Sequence, residues 1–132
     1  MEVDGLCEGV RAALTAAQRL YDVEDWDGAE RILRRAAARE DPVPWQVNVL
    51  LGNVLAKQKR HDEAIAYLRR ATEQDPSHEM VSLVLFHALF DAGRVAEALG
   101  GGHRFLASAG DRGFAEYREV VQAVADHVEE AS

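Results

Sequence analysis

Apolar residues recur along the chain three and four positions apart, between clear start and stop signals. No segment alternates apolar and polar residues as a half-buried strand does, so seven helices and no sheet are expected. The last helix is the plainest. Phe114, Tyr117, Val120, Val121, Val124 and Val128 fall on one stripe, and Glu116, Glu119, Gln122, Asp126 and Glu129 lie largely away from it. Local chemistry supplies further boundaries. Asp27 and Glu30 have capping-box spacing, with Asp25 as the alternative start of the same helix. Pro44 suits a first helical turn, and Ser77, following Pro76, suits an N-cap.

Aligned against itself, the chain shows one unit three times: Asp25-Trp26-Asp27-Gly28-Ala29-Glu30, Arg60-His61-Asp62-Glu63-Ala64-Ile65 and Arg94-Val95-Ala96-Glu97-Ala98-Leu99. Ala29, Ala64 and Ala98 set the register at intervals of 35 and 34 residues. Two antiparallel helices cannot hide their apolar faces alone, so each pair must stack on the next, with a small residue where the backbones approach most closely. The middle unit carries Leu51-Gly52, Leu55, Ala64, Leu68, Ala71 and the closing Pro76. The first keeps Leu20, Ala29, Leu33 and Ala36, with alanines in place of the Leu-Gly pair and Pro42 one residue late. The third keeps Leu85, Leu89, Gly93 and Ala98, but Phe86 holds the small-residue place and Gly102 stands where a large apolar residue is expected.

On these residues the chain resembles the tetratricopeptide-repeat (TPR) family over roughly residues 10–110. The resemblance implies an all-α fold, a right-handed superhelix (α-solenoid) of three TPR-like helix pairs plus a C-terminal capping helix. Residues 1–132 are then one domain, with repeat 1 at about 10–44, repeat 2 at about 45–78, a degenerate repeat 3 at about 79–110 and the capping helix at about 112–130. Such a helix is needed because the last repeat otherwise exposes an apolar face to water.

The geometry implied by the resemblance has the first helix of each pair lining a concave groove. Its register places Leu14, Gln18 and Tyr21 there from the first unit, Gln46, Val49, Asn53 and Ala56 from the second, and Met80, Leu83, His87 and Phe90 from the third. A mainly apolar lining with a few amides suits an extended segment or an amphipathic helix of a partner protein. The alternative is that several of these residues pack beneath a neighbouring helix. Family members that hold the acidic C-terminus of a chaperone use a clamp of Lys, Arg and Asn, of which only Asn53 is matched here.

Composition narrows the classes of function. At 48% hydrophobic and 29% charged, the chain has the signature neither of disorder nor of a membrane span. Fifteen Lys and Arg against 23 Asp and Glu give a net charge of -8, which opposes phosphate backbones, so nucleic acid is not an expected partner. Cys7 is the single cysteine, and the opening MEVDGLCEGV has neither the basic segment nor the apolar stretch of a signal peptide, which points to a reducing cytoplasm. His61, His78, His87, His103 and His127 are scattered without zinc-type spacing, so no catalytic, metal or cofactor site is expected. His61 shares its place in the unit with Trp26 and Val95 and is expected to pack at the helix turn.

Two basic clusters, Lys57-Lys59-Arg60 and Arg31-Arg34-Arg35-Arg39, read as solvated faces paired with nearby acids. Gly100-Gly101-Gly102 inside a helical pattern costs about 3 kcal/mol relative to alanines and is expected to open space that Phe114 or Tyr117 fills. The function expected is a non-enzymatic interaction module, a monomer or weak homodimer, for a protein or peptide partner. A secretion or assembly chaperone and a self-associating repeat module are the alternatives.

Overall fold

The computed structural model describes residues 7–109 and 114–131, and among them it contains seven helices. These are α1 (Glu8–Asp22), α2 (Trp26–Ala38), α3 (Trp45–Lys57), α4 (His61–Gln74), α5 (Glu79–Asp91), α6 (Val95–Ala109) and α7 (Ala115–Ala131). Each packs on its successor, with the tightest partnerships α1 with α2, α3 with α4 and α5 with α6. The first helices of successive pairs also touch, α1 with α3 and α3 with α5. This is the α-solenoid of helix pairs, closed by α7 against α6. The expected boundaries at residues 110 and 112 fall outside the described residues.

The repeat is written in the backbone as well as in side chains. At each turn between paired helices one residue takes a left-handed conformation: Glu24 (φ 64°), Lys59 (φ 63°) and Gly93 (φ 79°). The next amide reaches back five residues, Asp25 N–H to the Leu20 carbonyl, Arg60 to Leu55 and Arg94 to Leu89. This closing pattern satisfies carbonyls that a helix end leaves open. Only the third unit uses glycine, the residue that meets no Cβ penalty at positive φ.

The second helices start in two ways. Asp25, not Asp27, caps α2, its carboxylate accepting from the Gly28 N–H at 3.0 Å. At the equivalent places Arg60 and Arg94 instead donate to Glu63 and Glu97 three residues on. Two expectations are corrected here. Ser77 does not cap α5, because that helix begins at Glu79 after His78, and the Ser77 hydroxyl donates to Asp75 at 3.2 Å instead. Pro44 sits one place before the first helical turn, as the extended N-cap residue whose carbonyl accepts from Val47 and Asn48.

Core packing turns on one contact that recurs once per pair. A Cβ added at Gly52 would lie 2.6 Å from Leu68 Cγ and 3.2 Å from the Ala64 carbonyl oxygen. The glycine therefore lets α3 press directly on α4. Ala17 and Leu33, both fully buried, hold the same places in the first pair. The third pair inverts the sizes: Phe86 stands where Gly52 does, and Gly102 where Leu68 does. A Cβ at Gly102 would meet the Phe86 ring at 3.3 Å and Val121 Cγ2 at 2.9 Å. The space opened by the glycine is thus taken by Phe86 and by Val121 of α7 rather than by Phe114 or Tyr117. Tyr117 lies fully buried beside it, stacked on Phe105 with ring centroids 5.1 Å apart.

Candidate functional site

α5 differs from its neighbours in being apolar on both sides. Val81, Phe86, Ala88 and Leu89 are buried on one. Met80, Leu83, His87 and Phe90, spaced three, four and three apart, lie on the other. Met80 and Phe90 keep 39% and 40% of their surface exposed, Leu83 is half-buried, and His87 is exposed with its ring edge-on to Phe86. A helix apolar all round is normally covered all round. Met80 and Leu83 lie together with His78 and Glu79 on a wide-open, shallow patch of surface. His78 rests on Trp45, ring centroids 4.8 Å apart, which anchors the start of α5 to the start of α3.

The remaining residues expected in the groove divide by burial. Leu14 (3% exposed) and Val49 (1%) are core residues, and Gln46 is also buried, so the register carried those three beneath the surface. Gln18 is exposed and donates to Asp22, Tyr21 is half-buried edge-on against Trp26, and Asn53 and Ala56 are partly exposed. Asn53 is the one residue from Gln46 to Leu55 that is not buried, because α3 is enclosed by helices on several sides. The structure therefore brings Asn53 and the α5 stripe onto adjoining first helices, and withdraws Leu14, Gln46 and Val49 from contact with a partner.

Sequence reasoning did not single out Asn48. It is buried and donates to Gln74 at 2.8 Å, and Gln74 in turn donates to the Val43 carbonyl, tying the 39–44 loop to α3 and α4. The Asn48 amide thus serves the fold, as buried polar groups that are fully hydrogen-bonded do.

Charges on the second helices form a connected network. Glu30 accepts from Arg34 (2.7 Å), Arg60 (2.8 Å) and Gln58 (3.0 Å), and Glu63 accepts from both arginines. Burial pushes the Glu30 carboxyl up, but the hydrogen bonds from Arg34 and Gln58 and the charges of Arg60 and Arg34 outweigh it, leaving it below its ordinary range. Glu63 and Glu97 are lowered chiefly by their hydrogen bonds from Arg60 and Arg94. Of the two basic clusters, Arg34 and Arg60 are paired with acids in this way. His61 is the first residue of α4 and half-buried, like Trp26 and Val95 in the equivalent places. Among the described residues no group of His, Cys, Asp or Glu is placed to hold a metal ion, and no helix is long and apolar enough to cross a membrane.

Stacked helix pairs of this period, joined by one recurring turn and presenting an apolar stripe, define a helical-repeat scaffold. The family model for the tetratricopeptide repeat matches residues 14–79, half of the chain, and the chain belongs to that family. Repeats of this family generally mediate protein–protein interaction. No curated protein matches the chain.

Proposed function

We propose that this chain is a non-enzymatic adaptor or chaperone that holds an apolar segment of a partner protein against the exposed stripe of α5. The single observation behind the reading is that stripe. Met80 and Phe90 are two of the four large apolar residues exposed on the described chain, and they share one helix face with Leu83. Met80 and Phe90 keep 39% and 40% of their surface, so covering what remains contributes roughly 0.6–1.2 kcal/mol each, and the stripe holds a peptide only together with further contacts such as Asn53. The partner is an extended segment or an amphipathic helix whose spaced apolar residues sit on Met80, Leu83 and Phe90, with Asn53 on the adjoining α3 hydrogen-bonding its backbone. The net charge of -8 argues against nucleic acid as that partner.

Affinity capture from native extract, followed by mass spectrometry, tests the proposal with wild type beside the Met80→Glu, Phe90→Glu double variant. Both sites are exposed, so the variant keeps its helical circular dichroism and loses the proteins wild type recovers. A folded variant that recovers the same proteins would place binding elsewhere, on the basic face of Arg31, Arg35 and Arg39.

A further inference from the structure

Leu85 and Leu89 lie on the side of α5 away from the stripe, and there a cleft of about 350 Å³ opens between α4 and α6. It runs into a second depression of about 540 Å³, the two sharing Thr72, Glu73, Leu85, Leu89, Gly101 and Arg104. Phe86 and Phe105 add to an interior that is mostly apolar with a few polar groups at its edge, the usual make-up and size of a small-molecule site.

Two features of the cleft have no use inside the chain. Gly102 is required by Phe86 and Val121, but a Cβ at Gly100 or Gly101 would meet nothing except the Arg104 guanidinium, at 3.6 and 3.9 Å. Alanine at either place would favour the helix, so these two glycines weaken α6 and relieve no internal clash. What they do is leave bare backbone along one wall, as glycines do where a ligand comes close. The second feature is charge. Glu97 is bonded to Arg69 and Arg94, and Arg94 also faces Asp62, whereas Arg104 on the α6 wall and Glu73 on the α4 wall, both exposed, have no ion-pair partner among the described residues.

We propose that the cleft binds a free α-amino acid with a large apolar side chain. Its side chain enters between Leu85, Leu89 and Phe105, its carboxylate accepts from Arg104, and its ammonium group donates to Glu73. A carboxylate alone would be repelled by Glu73, and an amine alone by Arg104. A molecule carrying both charges on one carbon complements both walls. This site is independent of the α5 stripe and of any protein partner held there.

Isothermal titration of the whole chain with L-phenylalanine and L-leucine tests the assignment, with hydrocinnamate and phenethylamine as probes that keep the ring and one charge. Both amino acids are expected to bind saturably, and each single-charge probe roughly tenfold more weakly, the loss of one charge-assisted contact. Gly101→Leu puts a side chain into the cleft, where its Cβ meets only the flexible end of Arg104 at 3.9 Å, and replaces a poor helix former, so it should fold and abolish binding. Arg104→Gln should weaken phenylalanine by about the same tenfold factor and strengthen phenethylamine, whose ammonium group it no longer repels, a pattern that stands even if Gly101→Leu disturbs the helix. Absence of saturable heat with both amino acids on folded wild type would overturn the proposal. So would undiminished binding by a folded Gly101→Leu, or equal binding of N-acetylphenylalaninamide, which would assign the cleft to a peptide.

Discussion

Replacing the three consecutive glycines of α6 one at a time by alanine should give two stabilised proteins and one that is not. In a helix interior alanine is favoured over glycine by about 0.8–1.0 kcal/mol. At Gly100 and Gly101 the new methyl meets only the flexible end of Arg104, at 3.6 Å or more, so most of that gain is realised. Each variant should gain roughly 0.5–1 kcal/mol, or about 2–4 °C in melting temperature for a domain of this size. At Gly102 the methyl would lie 2.9 Å from Val121 Cγ2 and 3.3–3.4 Å from two Phe86 ring carbons. Overpacking of that kind costs about 1–3 kcal/mol, so the net change is a loss of about 0–2 kcal/mol. Urea denaturation followed by circular dichroism measures all three, provided the slope with denaturant stays constant. If Gly102→Ala gains as much as the other two, α6 and α7 do not pack as described and the size inversion of the third pair is wrong.

Gly52→Ala should be destabilising by about 1–3 kcal/mol less the helix gain, since Leu68 is fully buried and its branch point, not a free end, stands 2.6 Å away; the same denaturation series reads it, and an unchanged midpoint would refute the contact. At the recurrent turn, Gly93→Ala should lose about 1 kcal/mol and Lys59→Gly should gain a few tenths, and opposite signs in thermal melts are the check. Glu30, whose carboxyl is held below its ordinary range, contributes stability that is present above the unfolded-state pKa and is lost as pH falls through the folded one. Wild type should therefore lose more stability than Glu30→Gln between about pH 6 and pH 3, and parallel pH profiles would show that the Arg34–Glu30–Arg60 link adds nothing.

The architecture was legible because each contact is used once per pair and recurs at a fixed interval. The departures were legible too. Phe86 and Gly102 break the pattern separately in sequence, yet in space they are the two halves of one contact with large and small exchanged. What could not be read was the choice of partner for Gly102, because Val121 comes from a helix outside the repeat and no period places it. The groove was legible only in part. Val49 occupies a place that family geometry assigns to the concave face, but α3 is so enclosed that every residue from Gln46 to Leu55 except Asn53 is buried, and apolar positions no longer mark one buried side. α5 has the same composition for a different reason, since one of its apolar sides is uncovered. Sequence alone does not separate these two cases. The charge network shows a similar division. Arg60 with Glu63 is local and follows from spacing, whereas the bond from Arg60 to Glu30 joins α4 to α2 and depends on stacking.

Amide hydrogen exchange on the chain with and without a captured partner tests the binding face most directly, because exchange reports protection helix by helix. The account predicts that added protection falls on α5, above all on the segment from Met80 to Phe90, and extends to the Asn53 region of α3. Protection confined to α2, α4 or α6, with α5 exchanging as in the free chain, would contradict it.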